Sequence, residues 1–440
     1  MILACTVALL LTPPALPAAP PTDGRMTFGT KSEAARAAVR EALGILEGSP
    51  QMGMIPRSKE LHALAQKAVD ADTESAIAHY LLAVAFAAQS ERDAAAVQVE
   101  RATELAKAAP DGERRFIEAS IVRAPRSTFP APWETRLIDY PRDEAIARWG
   151  EFVAKYPKEI LGFLTLAEMH AGRYSALRSA PETRALDLEQ AQKALRSALE
   201  LDPTSVRAHK ALGAVLVGLR EFAQARREYE TPPTLSDAVT YTYLLEGNRA
   251  EARARVRHQL ERNAPTAVAS WNFFAHLQLE AGDAAAGLAA YDQGLEALKK
   301  TDWSDEEKQV WVGRWHHGRG RSLARLGKHD EAWAEVEIVK KMIDAGGDAG
   351  QQYLPAWHYL AGYVKLEAGQ AEAALDHLKQ AGGQHDPHRT LLLGRACEAL
   401  KDLDGARTHY RAVLDSTRQG IELAVSYDEA KTRLAALLTP

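Results

Sequence analysis

Few side chains in this chain are spaced so that they could act together in catalysis or metal binding. His316 and His317 are adjacent, so on a helix their side chains point about 100° apart and cannot both reach one ion. The segment His385-Asp386-Pro387-His388 offers more donors, but it lacks the closed ligand set of a metal site. The sequence contains no His-Glu-x-x-His motif, no glycine-rich phosphate loop and no Gly-x-Ser-x-Gly motif. We therefore predict no catalytic residues, no metal and no cofactor.

The clearest pattern lies in residues 188–229, where two predicted helices flank the turn Leu201-Asp202-Pro203. Apolar residues recur there at steps of three and four, which is typical of amphipathic helices. Small residues stand where neighbouring helix axes must approach closely, and two of them, Ala191 and Ala225, lie 34 residues apart. The chain is also rich in Ala, Leu, Glu and Arg, which favours helix throughout.

This interval and these residues resemble the tetratricopeptide repeat, a helix-turn-helix unit with a period of about 34 residues. Leu212-Gly213, Ala225 followed by Tyr229, and Ala198 followed by Pro203 match its pattern. The resemblance implies an all-α fold, a right-handed α-α superhelical solenoid of helix pairs with a C-terminal capping helix. It also implies a non-enzymatic scaffold that binds proteins or peptides.

The repeat register divides the chain into segments. Residues 1–23 form a leader, 24–75 a degenerate first helix pair, 76–203 tetratricopeptide-like repeats with insertions at 124–141 and 172–185, 206–418 regular repeats, and 426–438 the capping helix. Ser304 and Glu307 are predicted to form a capping box that opens a helix. The arrangement further resembles exported bacterial tetratricopeptide repeat proteins of unassigned function, in which a Gly-Glu-Arg segment, here residues 112–119, follows the first clear repeat.

The N-terminus predicts export. Residues 2–11 are an uncharged apolar run, followed by proline and small residues. The run is too short to span a membrane and is typical of a cleaved signal, although no basic residues precede it. We expect a periplasmic or otherwise exported protein; the alternatives are a lipoprotein attached through Cys5 and a cytoplasmic protein whose start is wrongly assigned. Membrane contact is expected only through such a lipid or an uncleaved leader, and the net charge of −5 gives no reason to expect nucleic-acid binding.

In tetratricopeptide repeats the first helix of each pair lines the concave surface, and the register identifies the places that face it. In the later repeats these places hold polar, aromatic and basic residues: Asn272, His276, Arg314, His317, Arg321, Tyr359, Tyr363, His388 and Arg395. Arginine offers planar donors and tyrosine offers contact area with a hydroxyl group, so an extended peptide with acidic groups suits this groove. In the earlier repeats the places are mixed and largely apolar, with Glu168 and Arg207 among them.

Several other residues fit a structural role better than a chemical one. Cys397 falls on the inward side of a first helix, which predicts a buried thiol. Asp386 stands twelve residues after Ala374, where the turn of its repeat belongs. Four tryptophans have apolar neighbours at helical spacing and are predicted to pack in the core: Trp271, Trp315, Trp333 and Trp357.

Three functions therefore stay open. The leading hypothesis is a non-enzymatic, exported scaffold that binds a protein or peptide in its concave groove. The second is a cytoplasmic regulatory or signalling module. The third is an enzyme whose site lies beneath the insertion at 124–141 or 172–185, which requires a tight cluster of Glu, His or Asp side chains there.

Overall fold

A computed structural model describes residues 23–48, 57–89, 91–121, 142–175, 181–231, 237–263, 268–280, 282–382, 386–416 and 420–439. Every regular element in these ranges is an α-helix, so the predicted all-α class is confirmed. Among the helices of the described ranges, none combines the length and apolar character needed to cross a membrane. The chain divides into two compact units, residues 1–215 and residues 216–440, which we call unit 1 and unit 2.

Unit 1 holds eight helices and most of a ninth. They are α1 Glu33–Gly48, α2 Ser58–Ala71, α3 Ala76–Ala88, α4 Arg92–Ala106, α5 Asp111–Ser120, α6 Arg142–Lys155, α7 Ile160–Ser175, α8 Pro181–Leu201 and α9 Val206–Gly218. Helices α1 and α2, α3 and α4, α5 and α6, and α7 and α8 pack as pairs, and each pair contacts the next along the chain. In addition, α1 contacts α7 directly, three hairpins away.

Unit 2 continues the same arrangement. Its helices are α10 Phe222–Glu230, α11 Asp237–Leu245, α12 Arg249–Asn263, α13 Val268–Glu280, α14 Ala284–Lys299, α15 Asp305–Arg325, α16 His329–Ala345, α17 Gly347–Gln351, α18 Leu354–Glu367, α19 Ala371–Gln380, α20 Pro387–Ala399, α21 Leu403–Leu414 and α22 Ile421–Leu438. The hairpins are α11 with α12, α13 with α14, α15 with α16, α18 with α19, and α20 with α21. This succession of stacked helix pairs confirms the predicted solenoid.

A left-handed residue links the two helices of several hairpins. Gly327 follows α15 with a φ of 75°, and Gly369 follows α18 with a φ of 74°. Glycine adopts this conformation without strain because it has no Cβ atom. Arg220 after α9 and Lys401 after α20 take the same conformation, with φ of 64° and 65°. The turn geometry is therefore kept even where the sequence does not supply glycine.

Histidine side chains join the two helices of three hairpins. In each case an imidazole on the first helix meets a side chain nineteen residues later on the second helix. The pairs are His79 with Gln98 at 2.7 Å, His316 with Glu335 at 2.6 Å, and His358 with His377 at 3.0 Å. Since buried polar groups need partners, these contacts give the three histidines a structural role within their hairpins.

The Gly-Glu-Arg segment fixes the described N-terminal stretch of unit 1. Glu113 is 1% exposed, and its carboxylate accepts hydrogen bonds from the backbone N–H groups of Gly29 at 2.5 Å and Ile77 at 2.8 Å. A Cβ atom on Gly112 would lie 2.7 Å from the Cβ atom of Met26, so a larger residue would push this stretch away from α5. The segment therefore has a packing function in this structure.

The last helix does more than cover the end of unit 2. Helix α22 packs on α21 and α20, and also on α11. Its predicted start at Ser426 is wrong, because the helix begins at Ile421 and the Ser426 hydroxyl donates a hydrogen bond to the carbonyl of Glu422 at 2.6 Å, inside the helix. The buried residues of α22 are Leu423, Ala424, Val425, Ser426, Ala430 and Leu434.

Other predicted boundaries have mixed outcomes. The capping box is confirmed, since Ser304 Oγ accepts a hydrogen bond from the N–H of Glu307 at 3.2 Å and Glu307 Oε2 accepts one from the N–H of Ser304 at 2.9 Å. Much of the range 172–185 is helical rather than a loop, because α7 continues to Ser175 and α8 begins at Pro181. The leader up to residue 22 with Cys5, the insertion at 124–141 and His385 lie outside the described residues.

Candidate functional site

The structure brings six of the nine residues predicted to line the groove into one cluster in unit 2. They are His276 on α13, His317 and Arg321 on α15, Tyr359 and Tyr363 on α18, and His388 on α20. They surround Glu280, the last residue of α13, which is not one of the predicted groove residues. We call these seven residues the Glu280 cluster.

The two carboxylate oxygens of Glu280 face different side chains. Oε1 lies 3.6 Å from His388 Nε2, 3.7 Å from His276 Nε2 and 3.9 Å from Nη1 of Arg321. Oε2 accepts a hydrogen bond from Nη2 of Arg325 at 3.3 Å. Burial raises the pKa of Glu280, but the nearby His388, Arg325 and His276 outweigh it and hold the pKa well below its usual value. The side chain is therefore a buried carboxylate, 9% exposed.

Arg321 connects three helices through its guanidinium group. Nη2 donates a hydrogen bond to the hydroxyl of Tyr291 on α14 at 3.1 Å, and Nη1 donates to Nε2 of His276 on α13 at 3.4 Å. Burial lowers the pKa of Arg321, but Tyr291, Tyr359 and Glu280 raise it above its usual value. Arg321 thus holds α15 to α13 and α14 as a permanent cation.

Aromatic rings complete the cluster on the side of α18. The Tyr359 hydroxyl is hydrogen-bonded to Nδ1 of His388, and the Tyr359 ring stacks on the imidazole of His317, with centroids 5.3 Å apart and planes inclined by 22°. The Tyr363 hydroxyl accepts a hydrogen bond from Nε of Arg325 at 2.8 Å. Burial, the largest influence, lowers the pKa of His317 to about 3.

Three of these six predicted residues are buried, and His276, His317 and Tyr359 are half-buried. Tyr363 is 0% exposed, His388 2% and Arg321 7%. The reason is that α13, α15, α18 and α20, the first helices of four successive hairpins, converge on Glu280, so that side chains directed to the concave side meet one another. The expectation of an accessible side chain is therefore wrong for Arg321, Tyr363 and His388.

Arg395, the predicted groove residue nearest the C-terminus, is paired within unit 2. Its Nη2 donates a hydrogen bond to Glu367 Oε1 at 2.8 Å, and its Nε lies 3.8 Å from Oε1 of Glu429 on α22. Arg433 on α22 in turn donates to Glu398 on α20 at 3.1 Å. An acidic group of the kind predicted for a partner is therefore supplied at this position by Glu367 of α18, with Glu429 of α22 farther away.

The two other predicted residues stay near the surface, between α13 and α15. Asn272 lines a pocket of about 20 Å³ whose other walls are mainly apolar: Val268, Tyr291, Gly294, Leu295, Leu298, Trp311 and Trp315. Arg314 is exposed, and its guanidinium carbon lies 4.7 Å from the ring centre of Trp311. This cation–π contact holds the Arg314 side chain near one wall of the pocket.

Within the described ranges, no three His, Cys, Asp or Glu side chains are grouped as metal ligands. His316 turns to Glu335 and His317 to Tyr359, as their adjacent positions require.

Asp386 lies at the predicted turn, where its carboxylate caps the start of α20. The prediction of a buried thiol at Cys397 is confirmed, and burial raises the pKa of that thiol. The tryptophans predicted to pack in the core are partly buried against apolar clusters.

One pair of titratable residues lies beside the second predicted insertion, in unit 1. His170 Nδ1 on α7 lies 3.2 Å from Asp187 Oδ1 on α8, and both side chains are largely buried. The contact joins the two helices of a hairpin. Among the described residues, this pair is not part of a group of three His, Cys, Asp or Glu side chains that could hold a metal ion.

In unit 1, two charged residues at the concave places of the earlier repeats, Glu168 and Arg207, form hydrogen bonds within the unit. Arg207 Nε donates a hydrogen bond to Glu168 Oε1 at 3.0 Å, and its Nη1 donates to the carbonyl of Leu46 in α1 at 2.5 Å. Both charged side chains are 9% exposed. This contact lies where α1 approaches α7, so the concave side of unit 1 is also closed at this point.

Two charged residues of the site were missed, although a sequence signal for them existed. Glu280 follows the predicted groove residue His276 by four positions, and Arg325 follows Arg321 by four. Residues four apart on a helix share one face. Both residues are found by also considering the residue four positions after each predicted groove residue.

The helices and the cluster define an all-α protein of stacked hairpins. Residues 359–421 match the family model described as "Tetratricopeptide repeat". This stretch contains α19, α20 and α21, and it carries the tetratricopeptide repeat that the sequence predicted. No curated protein shows a significant match to it.

Solved structures with some similarity include two that are described as tetratricopeptide repeat proteins. A thermophilic tetratricopeptide repeat protein of Thermus thermophilus is 22% identical, and the match covers 54% of this chain and 96% of that one, with a TM-score of 0.27. A tetratricopeptide repeat protein of Parabacteroides merdae is 15% identical, covering 71% and 95%, with a TM-score of 0.33. The Naa15/Naa10 structure bound to HypK-THB is 14% identical, covering 92% and 65%, with a TM-score of 0.31.

Proposed function

We propose that the chain is a non-enzymatic, exported scaffold that binds an extended protein or peptide segment with acidic groups on the concave side of unit 2. Tetratricopeptide repeats in general form protein-interaction modules. The observation that carries the specific proposal is that Asn272 and Arg314, both at concave places, stay near the surface beside an apolar pocket. The proposed surface is smaller than the sequence predicted, because six of the other positions are used inside the Glu280 cluster.

The chemistry of this surface favours an acidic segment with an apolar anchor. Arg314 contacts the ring of Trp311, which leaves the planar N–H donors of its guanidinium available to a carboxylate. The pocket walls are mainly apolar and aromatic, so they suit the tip of a small apolar side chain next to that carboxylate, as a volume of about 20 Å³ allows. The indole N–H of Trp315 in the same wall is buried and has no acceptor among the described residues. A backbone carbonyl of a bound peptide would provide one.

The binding surface is tested by selecting a phage-displayed random peptide library on the purified chain and measuring the selected peptides by fluorescence anisotropy. We expect acidic residues next to apolar ones among the selected peptides. Arg314→Glu should weaken their binding at least tenfold, because a favourable charge contact becomes a repulsive one. The matched control is Arg257→Glu on α12, an exposed arginine on the second helix of its hairpin. Equal affinities of the two variants would contradict the assigned surface.

The exported location rests on the apolar run of residues 2–11 and the small residues after it. We expect the chain produced in a bacterial host to be recovered from the periplasm without its leader, as read by N-terminal sequencing and intact mass. A mass increased by a lipid on Cys5 would favour the lipoprotein alternative. An uncleaved chain in the cytoplasm would contradict the proposed export but would not bear on the proposed binding surface.

A further inference from the structure

The contact between His276 and Arg321 defines the protonation state of the histidine. Nη1 of Arg321 lies 3.4 Å from Nε2 of His276. A guanidinium group can only donate hydrogen bonds. Nε2 must therefore act as the acceptor, which requires a neutral imidazole with its proton on Nδ1. A protonated imidazolium would direct an N–H group at the guanidinium.

The surroundings of His276 disfavour a second positive charge. The titratable and charged groups that face it are Glu280 on its own helix, Arg249 on α12 near the Glu280 carbonyl, Tyr291 on α14, His317 and Arg321 on α15, Tyr359 and Tyr363 on α18, and His388 on α20. The one carboxylate of Glu280 already faces two guanidinium groups, those of Arg321 and Arg325. Burial, followed by the charge of Arg321, lowers the pKa of His276 well below its usual value.

The sign of the pH effect follows from this direction. The folded pKa of His276 lies below the unfolded value of about 6.5. The contribution of neutral His276 to the stability of the folded state is therefore fully present above about pH 6.5. This contribution is lost as the pH falls from 6.5 toward the folded pKa. His317, whose pKa is lowered to about 3, acts in the same direction. Acid thus favours a state in which these imidazoles reach water and take up protons.

We propose that the contact between His276 and Arg321 is an acid-sensitive latch, which holds α13 against α15 at neutral pH and opens the concave side of unit 2 when the histidine is protonated. The latch opens because an acceptor becomes a donor beside a fixed cation. Its release exposes Arg321 and Tyr363, which the sequence pattern directs toward the concave side and the closed cluster buries. It also increases the exposure of Tyr359, which is half-buried in the closed cluster. This inference does not depend on peptide binding at Arg314.

Hydrogen exchange measured by mass spectrometry tests the latch on the full chain. The readout is the protection of amides in α13 and α15 between about pH 7 and pH 4, after correction for the intrinsic exchange rate. We expect the amides of α13 and α15 in the wild-type chain to lose protection together below about pH 6. His276→Gln keeps a carbonyl that accepts a hydrogen bond from Arg321 but cannot titrate, so its midpoint should lie about one pH unit lower. His258→Gln, at an exposed histidine on α12, should not change the midpoint.

Two results would overturn the latch. One is an unchanged midpoint in a His276→Gln variant that is normally protected at pH 7. The other result would come from nitrogen NMR of the wild-type chain with labelled histidine, a measurement that does not need the variant to fold. We expect the spectrum to show His276 as the neutral Nδ1–H form at pH 7. A doubly protonated ring at that pH would refute the proposal.

Discussion

Replacing Glu280 by Gln is expected to lower the free energy of unfolding of unit 2 by about 3–5 kcal/mol, the usual effect of removing one partner of a buried ion pair. Glu280 is the carboxylate nearest to Arg321, whose side chain is 8% exposed, and it also accepts a hydrogen bond from Arg325. Glutamine has nearly the same volume, so no cavity is formed. The loss therefore reports the uncompensated charge of the guanidinium groups.

Urea unfolding followed by tryptophan fluorescence measures this effect in unit 2, because six of the eight tryptophans lie between residues 271 and 357. The control is Glu296→Gln on α14, an exposed carboxylate paired with Lys299, which should change stability by no more than about 1 kcal/mol. Adding Arg321→Gln to the Glu280 variant should recover part of the loss. If the Glu280 and Glu296 variants unfold at the same urea concentration, the cluster is not an electrostatic centre.

Gly318→Ala is expected to destabilise unit 2 by about 1–3 kcal/mol or more, the range for overpacking a tight core. A Cβ atom at Gly318 would lie 2.2 Å from ring atoms of Tyr291, which is 2% exposed. The ring has to move, and its hydroxyl then leaves Arg321. The same change at Gly313, also in α15, meets only the Met342 side chain at 3.7 Å and should stabilise the helix by up to about 1 kcal/mol.

Thermal unfolding of the two alanine variants compares these effects within one helix. The melting temperature should fall for Gly318→Ala and stay constant or rise for Gly313→Ala. Tyr291→Ala combined with Gly318→Ala should be less destabilised than the sum of the single changes, because the smaller residue makes room for the new methyl group. Strictly additive effects would mean that the two positions are not in contact, contrary to the structure.

The repeat pattern made the fold and the direction of many side chains predictable, because both are local properties of a helix pair. The interval from Ala191 to Ala225 was enough to assign the concave places that hold Arg321 and Tyr363. The closure of that face was not predictable. It depends on how each hairpin is rotated against the next, and it brings Glu280 to His388, which is 108 positions later in the chain.

The role of Glu280 could not be predicted from its position in the sequence. Glu280 ends α13, and an acidic residue at a helix C-terminus is disfavoured by the helix dipole, so it is more typical of a solvated position. Its partners come from three later hairpins, and no local pattern indicates them. The predicted helix start at Ser426 was wrong for a different reason, because Ser426 lies inside α22.

The contact of α22 with α11 restricts how this protein can vary in length. In an open array, stability grows with every hairpin that is added, and copies can be gained or lost with little penalty. Here α22 follows α20 and also packs on α11, so the hairpins between them must have one fixed number for both contacts to form. Duplication or deletion of a hairpin in this part would separate the two helices. Natural variation in repeat number, and engineered extension, should therefore be tolerated only outside the stretch from α11 to α22.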